Sequence, residues 1–106
     1  MTLRVYEITR GFPIDERFGL TSQLRRACAS VCANLPEGCC RTSDKDSARF
    51  VDMAVCSASE VEYFLLLARD LNRGTESDYA LLDEQVREVK RMLTGLNQRL
   101  RSTVLG

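Results

Sequence analysis

Histidine and tryptophan are absent from this 106-residue chain, and only two prolines, Pro13 and Pro36, interrupt it. Without His there is no imidazole base, no Ser-His-Asp triad and no His-ligated metal. Aromatic residues make up 7% of the chain, too few to build base-stacking platforms. Val and Ile are sparse, and no alternating Val/Ile/Thr stretch occurs, which removes most of the case for strands. Neither sign of charge dominates. Fifteen Lys+Arg balance fifteen Asp+Glu, which argues against non-specific coating of nucleic acid. Long apolar runs are missing too. The longest, Phe64 to Ala68, is far shorter than the roughly 18 residues of a membrane span. Arg4 and Glu7 stand where the apolar part of a secretory signal would run. The expectation is a cytoplasmic protein with reduced thiols and no membrane partner.

The five cysteines, Cys28, Cys32, Cys39, Cys40 and Cys56, are an odd number, which argues against a disulfide framework. Cys28 and Cys32 share a helical face, and with Cys39 and Cys40 they raise a Cys-only zinc site. The spacing matches no ribbon or finger pattern, and adjacent cysteines chelate a tetrahedral ion poorly. The expectation is small apolar side chains buried between helices, with no metal and no cofactor.

What is present is helical periodicity. The length suits one domain, residues 1–106. A short first helix is predicted over Leu3–Arg10, with Val5 and Ile8 inward and Gly11 and Pro13 ending it. Phe12, Ile14, Phe18 and Leu20 then read as plugs for one end of a bundle. The second helix starts near Thr21 or a turn earlier, with Leu20, Leu24, Ala27, Val31 and Leu35 as its apolar face. Pro36 and Gly38 predict that it bends or ends between Asn34 and Gly38.

Ser43 to Asp46 has capping-box form and opens the longest predicted helix. Phe50, Ala54, Ser57, Val61, Phe64, Ala68 and Leu71 form a heptad seam along it. Val51, Val55, Ala58 and Leu65 form a second stripe, and Gly74 is placed as its C-cap. Thr75 to Asp78 opens a fourth helix with Leu82, Val86, Val89, Leu93, Leu96 and Leu100 inward. The tail from Ser102 is predicted to fray. Short gaps force neighbouring helices to run antiparallel. The fold class is all-α, an antiparallel up-down four-helix bundle. The wide apolar arc of the third helix predicts self-association, because one partner helix could not cover it. Oligomers of one chain are normally closed and symmetric, but spacing does not reveal their order.

The stretch Phe12-Pro13-Ile14-Asp15-Glu16-Arg17-Phe18-Gly19-Leu20-Thr21-Ser22-Gln23-Leu24-Arg25-Arg26-Ala27 is specific. Asn34 to Gly38, Arg41, Arg49-Phe50, Ala58 to Glu60, Glu62 and the Leu66 region continue the pattern. Together they resemble the four-helix bundle proteins encoded in 23S rRNA intervening sequences. Those proteins are similar to the accessory variability determinant of diversity-generating retroelements. The resemblance runs from about Val5 to Leu100. It implies a ring-shaped homopentamer with no enzymatic activity, no cofactor and no small-molecule substrate. It also implies RNA or a reverse transcriptase as partner. RNA binding is the role proposed for the intervening-sequence branch, and the retroelement branch resembles a barrel that binds a reverse transcriptase and nucleic acid. Family members usually carry further N-terminal residues, so helix 1 is short or truncated here. Pro36 and the Cys39-Cys40 pair depart from the pattern.

Charge is unevenly placed. Arg25, Arg26, Arg41, Lys45 and Arg49 are the candidate nucleic-acid-binding residues, since a basic patch repeated around a ring neutralises several phosphates together. The competing reading pairs the basic second and fourth helices with the acidic region from Glu60 to Glu84, within or between subunits. Arg25, Arg26 and Glu37 would then form guanidinium–carboxylate forks at a subunit interface. Asn34, Glu37 and Gly38 are assigned to an oligomer interface or a structural polar role, because no base or nucleophile stands beside them. Glu60 and Glu62 are two apart and face different ways, so they do not build a di-metal site. Tyr63 and Tyr79 read as packing or rim residues, and Thr21 to Gln23 as N-capping residues.

Overall fold

The computed structural model describes residues 1–13, 19–39, 43–71 and 73–105, with the side chains at 36–39, 44 and 103–105 outside the description. Its elements are α1 (Thr2–Thr9), α2 (Leu20–Cys39), α3 (Asp44–Asp70) and α4 (Glu76–Leu105), with no strand among the described residues. The cysteine pair's Cys40, the end plugs Ile14 and Phe18, and Arg41 lie outside the described residues. No described helix is long and apolar enough to cross a membrane.

Hydroxyl caps start the two long helices as their sequences predict. Ser43 Oγ accepts from the Asp46 amide at 3.1 Å, and Thr75 Oγ1 accepts from the Asp78 amide at 3.2 Å. Elsewhere the boundaries differ. The first bond of α2 runs from the Gln23 amide to the Gly19 carbonyl, so Thr21 to Gln23 lie inside the first turn and do not cap it. α2 passes Pro36 and ends only at Cys39. Proline there removes the i→i−4 hydrogen bond its amide would make, as it does anywhere past the first turn. α4 continues through the tail expected to fray, to Leu105. Gly74 is not the C-cap of α3, because that helix closes at Leu71. Its φ of +78° instead turns the chain toward α4, and a Cβ there would lie 3.3 Å from the Tyr79 ring and 3.4 Å from Ile8. The Tyr79 hydroxyl donates to the Arg73 carbonyl and pins this corner.

Cross-helix pairs establish the topology. Arg25 meets Thr9 and Cys32 meets Thr2, so α1 and α2 are antiparallel. Arg26 meets Glu60 while Ser30 meets Ser57, and Lys90 meets Glu62 while Asn97 meets Asp52. The four helices therefore run up and down, and α3 packs on α2 by one flank and on α4 by the other. α1 touches α2 and α4 and closes one end. The molecule is a rod of 49 × 23 × 18 Å.

The packing corrects the width argument about the third helix. Ala54, Ser57, Val61 and Ala68 of its seam are buried, and so are Val51, Ala58 and Leu65 of the second stripe. Two flanking helices cover most of the arc within one chain, leaving Phe50 and Phe64 half-buried and Leu71 exposed. The wet apolar residues lie elsewhere, at Met53, Tyr63 and Leu66 of α3 and Met92 of α4. Cysteine burial divides as well. Cys28 is buried as expected, but Cys32 and Cys56 are exposed. Cys32 falls where α1 begins, with Thr2 Oγ1 at 3.4 Å, and Cys56 stands on the outer face of α3.

Leu82 has no exposed surface, whereas Met92 is 65% exposed. Leu82→Ala is expected to cost about 2–5 kcal/mol, read as a lower urea midpoint. Met92→Ala should stay within about 0.5 kcal/mol for the isolated chain.

Candidate nucleic-acid interface

The candidate basic residues do not form one group. Arg25 and Arg26 sit in the second turn of α2, opposite Glu60, whereas Lys45 and Arg49 occupy the first two turns of α3. Along α3 that separation from Glu60 is eleven to fifteen residues, or about 16–22 Å at the helical rise. Lys45 and Arg49, four residues apart on one exposed face, are brought together.

Arg25 is drawn inward. Its Nε donates to Thr9 Oγ1 at 2.8 Å, and its guanidinium lies 4.5 Å from the Tyr6 ring centroid. Thr9, buried, in turn donates to the Val5 carbonyl at 2.8 Å. This cation–π contact and hydrogen bond tie α1 to α2. Arg26 stays at the surface, shared between Gln23 Oε1 at 3.0 Å and Glu60 Oε2 at 2.8 Å. Within the chain, Arg26–Glu60 is a pairing of the second helix with the acidic region. Arg25 takes a hydroxyl partner, and the carboxylate of Arg26 belongs to the same chain. Sequence inspection missed the Thr9–Arg25–Tyr6 knot. Its one legible signal was a threonine on the apolar side of α1, four residues after Val5.

Other cations are matched with carboxylates between helices. Lys90 Nζ meets Glu62 Oε1 at 2.8 Å, and Arg101 pairs with Asp52, which also accepts from Asn97. Glu60 and Glu62 thus point to different helices, as their spacing requires. Asn34 lies in the α2–α3 contact and donates to the Ser30 carbonyl at 2.8 Å and Ser30 Oγ at 3.2 Å. Ser30 Oγ is 2.7 Å from Ser57 Oγ. The backbone of Glu37 and Gly38 is part of α2, and their side chains lie outside the described residues. Tyr63 is a rim residue, while Tyr79 is buried.

Two titrating groups depart strongly from ordinary values. Burial pushes the Cys28 thiol up to about 11, with Cys32 adding to the rise and the amino terminus opposing it. Burial pushes the Tyr79 phenol up to about 12, with Asp78 and Glu76 adding and Arg73 opposing. Both are therefore protonated at neutral pH, and neither supplies a base or a thiolate nucleophile there. Among the described residues no three His, Cys, Asp or Glu side chains gather to hold a metal ion.

Arg25→Ala is expected to lower stability by about 2 kcal/mol, because it removes a charged hydrogen bond and a cation–π contact. Arg26→Ala, at an exposed pair, should cost about 0.2–1 kcal/mol. Denaturant midpoints of the two variants test the difference. Cys28 also sets a pH dependence. The unfolded thiol loses its proton near pH 9 and the folded one near 11, so in that window the unfolded state binds fewer protons. Stability should be intact below about pH 9 and fall toward 11, and Tyr79 should continue the fall toward about 12. Urea titrations across this range should show the early part of the slope missing in Cys28→Ala.

Comparison with known proteins follows the geometry. The family model for the 23S rRNA-intervening sequence protein matches residues 1–95. A crystal structure of a protein with unknown function from the S23 ribosomal protein family of Bacteroides thetaiotaomicron VPI-5482 superposes with a TM-score of 0.82. It is 22% identical, and the match covers 91% of this chain and 90% of that one. At that identity the likeness establishes the bundle fold. A comparison with curated proteins gave no match.

Proposed function

The chain belongs to the 23S rRNA-intervening sequence protein family, and from that premise we propose that it is a non-catalytic, homo-oligomeric adaptor that binds RNA or a nucleic-acid enzyme such as a reverse transcriptase. A ring of five copies is the assembly that the family resemblance suggests. The observation that carries the reading is the pair Lys45 and Arg49 on successive turns at the start of α3, on an exposed helical face. One such pair contributes little. Repeated around a ring, such pairs would neutralise several phosphates together. Exposed apolar side chains at Tyr63 and Leu66, which line one groove together, support self-association, since such patches mark interfaces.

A second reading, a protein–protein interaction module without nucleic-acid binding, is favoured by the ion pairs Arg26–Glu60, Lys90–Glu62 and Arg101–Asp52. These neutralise cations that phosphates would otherwise use. Salt-titrated binding to a structured RNA separates the two. Adaptor function predicts an affinity that falls steeply with salt, and a shallower slope for the double variant Lys45→Ala, Arg49→Ala with its assembly intact. Absence of binding at low salt would refute RNA binding.

A further inference from the structure

We propose that α1 is a strap: it lifts from α2 and α4 as a unit while the other three helices stay packed, and its opening controls access to the buried thiol of Cys28. The register of α1 on α2 places that thiol beneath it. Thr2 meets Cys32 and Thr9 meets Arg25, and these two pairs bring Val5 level with Cys28 between them. Arg25, Cys28 and Cys32 step three and then four residues along α2, so they share the face that α1 covers. Neither Val5 nor Cys28 has any exposed surface.

Three features single out α1 as the element that opens first. It has 8 residues, fewer than the roughly 12 that a helix needs to be even marginally stable alone in water. Its ends add nothing. Met1 offers no side-chain cap, no acidic residue stands in the first turn and no basic residue in the last. Arg4 lies toward the positive end of the helix dipole and Glu7 toward the negative end, the reverse of the favourable order. The helix therefore holds its shape only while docked.

The docking is thin as well. Of the eight residues of α1, Val5 alone joins the buried apolar core, and Ile8 is partly buried against it. Leu3 and Tyr6 are exposed. Polar fastening does the remainder, and one side chain carries it: Arg25 bonds Thr9 and lies over Tyr6. Water replaces the hydrogen bond once the strap is up, so opening strands no buried charge. Phe12, past Gly11, is buried and anchors the far end.

The rest of the bundle does not lean on the strap. Among the described residues α1 touches α2 and α4 but not α3. Val51, Ala54, Ala58, Val61 and Ala68 are buried where α3 meets its two long neighbours, and those contacts persist when α1 lifts. Few apolar contacts and a surface position are the marks of a segment that unfolds below the global transition. While the strap is down, the Cys28 thiol is covered, and burial holds it protonated up to about 11. Lifting α1 uncovers the sulfur and restores an ordinary thiol, so one motion controls both contact and reactivity.

Thiol labelling under native conditions tests the strap. In a full-length variant with Cys32, Cys39, Cys40 and Cys56 changed to Ser, Cys28 is the single reporter, and circular dichroism verifies the helices. Iodoacetamide should alkylate Cys28 at a rate nearly independent of urea at low concentration, then climb with the slope of global unfolding near the midpoint. Adding Arg25→Ala should raise the low-urea rate by roughly 10- to 30-fold, because the main fastening is lost. Adding Val61→Ala instead, on the helix that α1 does not touch, should lower the urea midpoint and leave the low-urea rate unchanged. Hydrogen exchange on the unaltered chain gives an independent reading: amides of Val5 to Phe12 should exchange with little dependence on urea, and those of Ala54 to Ala68 with the full dependence. Labelling that follows the global slope throughout, Val61→Ala accelerating it as much as Arg25→Ala, or α1 and α3 amides sharing one urea dependence would overturn the strap.

Discussion

Burial of α3 between α2 and α4 is the constraint on which the rest of the molecule depends. Alanine, serine and valine dominate the inward positions of α3, at Val51, Ala54, Ser57, Ala58, Val61 and Ala68, so both neighbours approach closely. Because each neighbour takes one flank, α2 and α4 are held apart and joined by α1 at one end. The short helix is then fastened by polar contacts as much as by burial. Thr9 and Arg25 connect it to α2, and Ile8 reaches the Gly74 corner of α4. A bundle so built has one well-covered end and one end where two long helices outrun the third.

The charge distribution follows from the same arrangement. Carboxylates of α3 lie between cations of α2 and α4, so Glu60 and Glu62, only two residues apart, serve opposite neighbours. Exposed pairs of this kind add little stability, but they fix register and remove cations from the surface available to phosphates. Among the described candidate residues, Lys45 and Arg49 stand on an exposed face at the start of α3, while Arg25 has become part of the internal scaffold.

Much of the fold was legible in the residues. The four periodic segments, the caps at Ser43 and Thr75 and the antiparallel order depend on local rules, and the structure agrees with each. The disagreements share a cause. Gly74 was assigned by residue type to a helix end and Thr21 to a cap, but a glycine with positive φ serves any sharp turn, and α2 starts just before Thr21. The candidate interface was less legible. Arg25 and Arg26 are adjacent in sequence and identical in chemistry, yet one packs against Tyr6 and Thr9 and the other meets Glu60. A turn of 100° per residue separates them, and nothing local says which direction meets a neighbour.

Sequence by itself determined the helices, their order, their inward faces and the family, since each is written in spacing between residues close along the chain. Tertiary structure alone decided which apolar residues stay wet and which cations find carboxylates. Those outcomes depend on helices brought together from distant parts of the chain and on how far each one extends past its neighbour.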